Sequence, residues 1–218
     1  STSVLSVLTP QEEEDDTKYT QNLIKMTIMW SATSCSSYLL CFMNKYLEGS
    51  IYQNNFLECL SGMLAVYVGA TLYAYLGKRG TFYCAFGFIL FGGTVIYLIE
   101  SKTLMIPQPI LDFFPGGPVQ QNHKAIDFLI PKITFIAKFG AAIAFLCVYQ
   151  VSFSDQTLFP AEKRATAIGI CQIFARGLTI LAPEVVELPK PMPILIVCCV
   201  AIVAILTTST LDGNQDNI

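Results

Sequence analysis

Three ionisable side chains, Glu58, Lys138 and Arg176, interrupt runs of sequence that are otherwise almost wholly apolar. At the centre of a bilayer a charged side chain costs ~2.5–3.5 kcal/mol even on lenient insertion scales, so such groups point to function. Arg176 follows Arg164 by 12 residues, which at 1.5 Å per residue places it about 18 Å deeper along one helix. That is too deep to snorkel back, and its guanidinium needs a carboxylate, carbonyls, water or an anionic substrate. Lys138 precedes Asp155 by 17 residues and supplies a second cation toward the other side. Two readings follow: a positive cavity, or a Glu58 that neutralises one cation while protein outside this sequence neutralises the other. The stretch Trp30, Ser31, Thr33, Ser34, Ser36, Ser37 and Tyr38 is unusually polar for its surroundings. At helical spacing Trp30, Ser34, Ser37 and Tyr38 share a side that would line a wet cavity with an aromatic floor, although interhelical hydrogen bonding accounts for the serines more simply. Tyr149 and Gln150 could add to the same lining. Gln172, one turn before Arg176, shares its face.

Other chemistry is not supported. There is no GxSxG, HExxH or Walker loop, and the sole histidine, His123, lies in a polar loop where solvation is the ordinary fate. The eight cysteines lack CxxC spacing and sit within apolar runs, where they read as small packing residues. No catalytic residue, metal site or cofactor is expected, and no basic stripe points to nucleic acid.

The elements that must position these residues are six apolar runs, roughly 23–43, 56–76, 81–99, 133–151, 165–185 and 192–208. Each approaches the ~20 residues a helix needs to cross ~30 Å of hydrocarbon. Hydrophobic residues make up 53% of the chain and charged ones only 13%, about half the usual share. The mean hydropathy of +0.54 agrees. Lipid offers no hydrogen-bond partners, so backbone at that depth is helix or closed barrel, and the strict alternation of barrel strands is missing. The expected fold is all-α, a polytopic transmembrane bundle of six spans with the lipid bilayer as its first partner.

The net charge of −3 carries little information, because seven of the sixteen acids lie in the terminal tails. Residues 1–21, with Glu12-Glu13-Glu14-Asp15-Asp16, read as an acidic tail or linker, with a helix starting near Thr20. The membrane domain spans 22–210 and a short tail 211–218 follows. Gly77-Lys78-Arg79-Gly80 is a tight reversal between neighbouring helices. A loop over 100–132, with Pro107, Pro109, Pro115, Pro118, Pro131 and Gly116-Gly117, is expected to be irregular. The basic turns Lys78-Arg79 and Lys163-Arg164 share one face if spans alternate, and that face, with both termini, is assigned to the cytoplasm. The opening Ser1-Thr2-Ser3 has no basic segment leading an apolar one, so a longer or processed polypeptide is expected.

Three stretches carry a family resemblance. Trp30-Ser31-Ala32-Thr33-Ser34 through Tyr38 is similar to the seventh helix of organic cation/anion transporters, the solute carrier 22 group of the major facilitator superfamily. Lys138-Phe139-Gly140-Ala141-Ala142-Ile143-Ala144-Phe145 resembles its tenth helix, with Ala137 where glycine is frequent. Leu158-Phe159-Pro160-Ala161-Glu162-Lys163-Arg164-Ala165-Thr166 and Ala175-Arg176-Gly177-Leu178-Thr179-Ile180-Leu181-Ala182-Pro183 resemble the loop before the eleventh helix and that helix. The resemblance covers about 22–210 and implies the carboxy-terminal six-helix half of a rocker-switch transporter, with substrate near the midplane. By position it implies that Tyr38 lines the substrate cavity, that Arg176 meets anionic substrates, and that Lys138 matches a tenth-helix lysine. Trp30, Gln172 and Tyr149 complete the expected substrate-binding set.

The pattern also departs from the family. Where the family loop reads Asp-Arg-x-Gly-Arg-Arg, this chain has Ala74-Tyr75-Leu76-Gly77-Lys78-Arg79, so the turn is kept and the gating aspartate is not. The acid expected before Leu158 is Thr157, with Asp155 two residues earlier as a substitute. Lys78, Arg79, Asp155 and Arg164 are the expected gating residues of the cytoplasmic turns. The implied function is transmembrane transport of a small organic ion beside an amino-terminal half, with the plasma membrane as location. A transport-inactive scaffold subunit among other membrane proteins is the alternative.

Overall fold

The computed structural model describes residues 10–46, 51–101, 118–156 and 158–211, and among these there is no strand. The helices are α1 (Pro10–Met43), α2 (Ile51–Glu100), α3 (Pro118–Ser154), α4 (Ala161–Thr179), the short α5 (Ala182–Val186) and α6 (Met192–Ser209). Four segments are long and apolar enough to cross a membrane: Tyr52–Glu100, Lys124–Ser154, Ala161–Val186 and Met192–Ser209. Many large apolar side chains point outward, Tyr67 at 76% and Ile173 at 73% exposure among them. Lipid, unlike water, solvates such a surface at no cost.

At 50 residues α2 would be about 75 Å long if straight, more than twice the hydrocarbon thickness. It is not straight. Gly77 takes φ 66° and ψ −174°, a conformation that a side chain would strain. Contacts to α3 give the direction of each limb. On the first limb Glu58 meets Lys138, and a Cβ added at Gly69 would touch Ile143 and Leu146, so numbers rise together. On the second limb Lys78 meets Asp155, the backbone of Ala85 faces Gly140, and Gly92 abuts Ala137, so numbers run opposite. The limbs are therefore antiparallel, and α2 is a helical hairpin packed along α3. Gly140 permits this approach: a Cβ there would stand 2.5 Å from the Ala85 carbonyl oxygen.

α1 lies parallel to α4, with Thr27 Oγ1 3.3 Å from Cys171 Sγ, and antiparallel to α6, where Thr208 Oγ1 approaches Met29. Lys25 Nζ donates to the Thr210 carbonyl at 2.7 Å, tying the chain's last described turn to α1. Behind, α6 packs on the second limb of α2, with Cys198 and Ile194 against Gly93. The buried core runs through all these contacts, from Met26, Met29 and Trp30 to Phe82, Phe86 and Ile194.

Three local expectations need correction. The chain is helical from Pro10, a decade before Thr20, because proline suits a first helical turn and α1 finds partners beyond the apolar run: Tyr19 packs edge-on to Phe159 and Lys163 pairs with Asp16 at 2.8 Å. The stretch expected to be irregular over 100–132 is helical from Pro118, with Pro131 inside α3. Proline at the helix start removes a donor that has no partner there anyway, and Pro131 forfeits one internal bond that the long packed helix tolerates. Finally, Lys78 is not an open turn residue: it is 6% exposed, since it pairs with Asp155. Thr157 and the side chain of His123 lie outside the described residues.

Candidate binding groove

Between α1, the first limb of α2 and α3 lies an open groove of about 430 Å³, lined by Ser37, Glu58, Ser61, Gly62, Val66, Lys138, Ala141, Ala142, Phe145, Leu146 and Tyr149. Its size is that of a small-molecule site. α4 packs mainly on α1, and only lightly on α3. Side chains of α4 can nevertheless reach residues in or next to the groove's wall.

Two of them do so. Arg176 Nη1 donates to the Tyr38 hydroxyl at 2.5 Å, and its guanidinium carbon lies 5.9 Å from the Tyr38 ring centre. Gln172 Nε2 approaches the Tyr149 hydroxyl at 3.4 Å, long for a hydrogen bond. Arg176 is exposed and has no carboxylate partner among the described residues. A guanidinium carries five donors in a planar fork, and Tyr38 occupies one, so a carboxylate could engage the others in two-point fashion.

Lys138 is in the opposite situation. Its ammonium is 6% exposed and ion-paired with Glu58, whose carboxylate also accepts from Asn44 Nδ2 at 2.7 Å. Glu58 and Lys138 thus meet across α2 and α3. Arg176 has no such partner among the described residues.

Trp30 is 1% exposed and cannot form an open floor. Its indole donates to Ser152 Oγ at 3.0 Å and its ring meets Tyr149 edge-on, with centres 4.6 Å apart. It braces Tyr149 from behind. Tyr149 in turn stacks between Phe145 and Phe153, giving α3 an aromatic ladder. Ser34 is likewise buried at 4%, leaving Ser37 and Tyr38 as the half-buried members of the expected α1 face. The period was read correctly; the stripe facing the groove is narrower because α1 is enclosed by α3, α4 and α6.

Lys78 and Arg164 lie near the other end of α3. Lys78 Nζ lies 2.8 Å from Asp155 Oδ2, both buried. Arg164 donates to the carbonyls of Phe153 at 2.8 Å and Phe159 at 3.3 Å, closing the α3–α4 turn on carbonyls left open at a helix end. Arg79 is half-buried and its Nε has no partner among the described residues. Sequence reasoning noted Glu58 as a charge but did not place it at the site. Its partner stands 80 positions away, and only the hairpin brings them level.

Over 173 residues the chain is 27% identical to solute carrier family 22 member 4 of Mus musculus. This chain is similar to a solute carrier. The alignment covers 78% of the chain but 27% of that protein, so the chain corresponds to little more than a quarter of its length. No family model and no solved structure matches. The likeness and the four apolar helices together support an integral membrane protein.

Proposed function

We propose that this chain is the carboxy-terminal half of a transporter that moves small organic ions across a membrane by alternating access. In this reading α1, the two limbs of α2, α3, α4 with α5, and α6 are the six spans of a major-facilitator half occupying 22–210. Residues 1–21 lead in from an amino-terminal half that closes the groove, and the plasma membrane is the expected location. The observation that carries the reading is Arg176: an exposed cation within an apolar helix, bonded to Tyr38, the neighbour in sequence of the groove-lining Ser37, and without an acid partner among the described residues. An uncompensated charge at that depth is costly unless a substrate or water meets it. Tyr38, Tyr149 and Gln172 supply the aromatic and polar surroundings, Trp30 fixes Tyr149, and Lys138 bounds the far end of the groove.

At the other end, the buried Lys78–Asp155 pair ties the α2 hairpin to the end of α3, with Arg164 fixing the adjoining turn. In an alternating-access cycle this cluster is the natural element to loosen when the halves rock. It also supplies a charge contact where the sequence pattern showed a missing acid, which weighs against a purely structural subunit. The test is reconstitution of the full natural polypeptide in liposomes. Saturable, time-dependent uptake of a small organic anion is expected; binding without uptake under every ionic gradient would overturn the transport reading.

A further inference from the structure

The two intramembrane cations differ in a way that fixes how much negative charge the groove will accept. We infer that Glu58 is a specificity-determining residue: by neutralising Lys138 it leaves Arg176, which bonds Tyr38 next to the lining Ser37, as the one cation beside the groove without a carboxylate partner among the described residues, so the site selects amphipathic organic anions bearing a single negative charge and rejects dianions. This rests on the transport reading above.

The argument is one of charge and position. Glu58 and Lys138 both line the groove, so the pair contributes no net charge to it. Asn44 fixes the carboxylate from the end of α1. Tyr38, which holds Arg176, precedes Asn44 by six residues, about 9 Å of helix rise. A ligand with one carboxylate on Arg176 therefore extends its body toward Phe145 and Tyr149, and its far end toward Glu58. An aromatic body stacks there favourably. A second carboxylate at that end meets a carboxylate already bonded to its own lysine, and like charges so placed oppose binding.

Removing the acid should release the second cation. Among the described residues no other carboxylate lies within ion-pair reach of Lys138. One turn earlier on the same helices, at parallel register with the pair, Asn54 and Thr134 are buried with side-chain polar atoms that have no partner among the described residues. The groove is open, so in Glu58→Gln the second carboxylate of a dianion can take the place on Lys138 that Glu58 held.

The experiment compares 4-methylbenzoate with terephthalate, nearly isosteric and fully ionised at neutral pH, as competitors for binding to the full polypeptide in liposomes. The wild type should prefer the monoanion by about tenfold or more, the scale of a single misplaced like charge. Glu58→Gln should shift that ratio at least about tenfold toward the dianion. The double variant Glu58→Gln/Lys138→Met, which restores neutrality, should return it to the wild-type value, and it decides the matter even if the single variant fails to insert. A wild type that prefers terephthalate, or a double variant whose ratio differs from the wild type by as much as the single variant was expected to, overturns the role of Glu58 while leaving transport intact. If a correctly inserted wild type binds neither probe nor any other organic anion, the transport reading falls and this inference with it.

Discussion

Lys138 and Arg176 are both cations set in apolar helices, yet the molecule treats them oppositely. Lys138 is buried and paired with Glu58, which also accepts from Asn44; Arg176 is exposed, bonded to a tyrosine and without a carboxylate partner among the described residues. The first arrangement closes a cost and the second keeps one open. A protein can sustain an unneutralised guanidinium at such depth where something else regularly meets it, and that contrast is what separates packing from function in this bundle.

The sharpest way to break the contrast is to remove one partner of a buried pair. Glu58→Gln alone should destabilise the protein by about 3–5 kcal/mol, since it strands a buried charge, while Glu58→Gln/Lys138→Met should recover most of the loss. Thermal inactivation in detergent would show both. Asp155→Asn should fall in the same range, about 3–5 kcal/mol, by stranding Lys78. A smaller effect is expected where a close helix contact is forced open. Gly140→Ala places a methyl 2.5 Å from the Ala85 carbonyl oxygen and 2.7 Å from Phe88 Cβ, and it should cost about 1–3 kcal/mol as α2 and α3 move apart. Trp30→Phe removes the hydrogen bond to Ser152 and should cost about 1–3 kcal/mol for the polar group it leaves behind. It should also loosen Tyr149, seen as weaker binding of aromatic anions. At the bottom of the scale, Lys163→Ala should leave thermal inactivation unchanged, because the Asp16–Lys163 pair is exposed to solvent. A large loss there would mean that the Lys163 contacts to Asp16 and the Tyr19 ring hold the extension of α1 in place.

The legible and illegible parts of this chain divide along sequence distance. Span-length apolar runs follow from local composition, so the helical membrane character could be read directly; so could the shared face of Gln172 and Arg176, which lie one turn apart. Reversal at Gly77 was also legible, because a glycine beside a short basic turn has few other uses. What composition does not encode is register between helices. The pairs Glu58–Lys138 and Lys78–Asp155 span 80 and 77 positions, and only the packing of the α2 hairpin on α3 fixes them. For the same reason Lys78 read as an exposed turn residue and is buried, and Trp30 read as a cavity floor and is a brace. The helical start at Pro118 escaped because clustered prolines and glycines signal breaks, whereas a proline at the first turn is compatible with a helix.

The measurement that bears most directly on the central claim is uptake of 4-methylbenzoate by the full polypeptide carrying Arg176→Ala, with surface expression monitored in parallel. Uptake should be abolished while expression is retained, because the removed side chain holds the groove's uncompensated charge without supporting the core. Uptake equal to the wild type would take Arg176 out of the site and contradict the account.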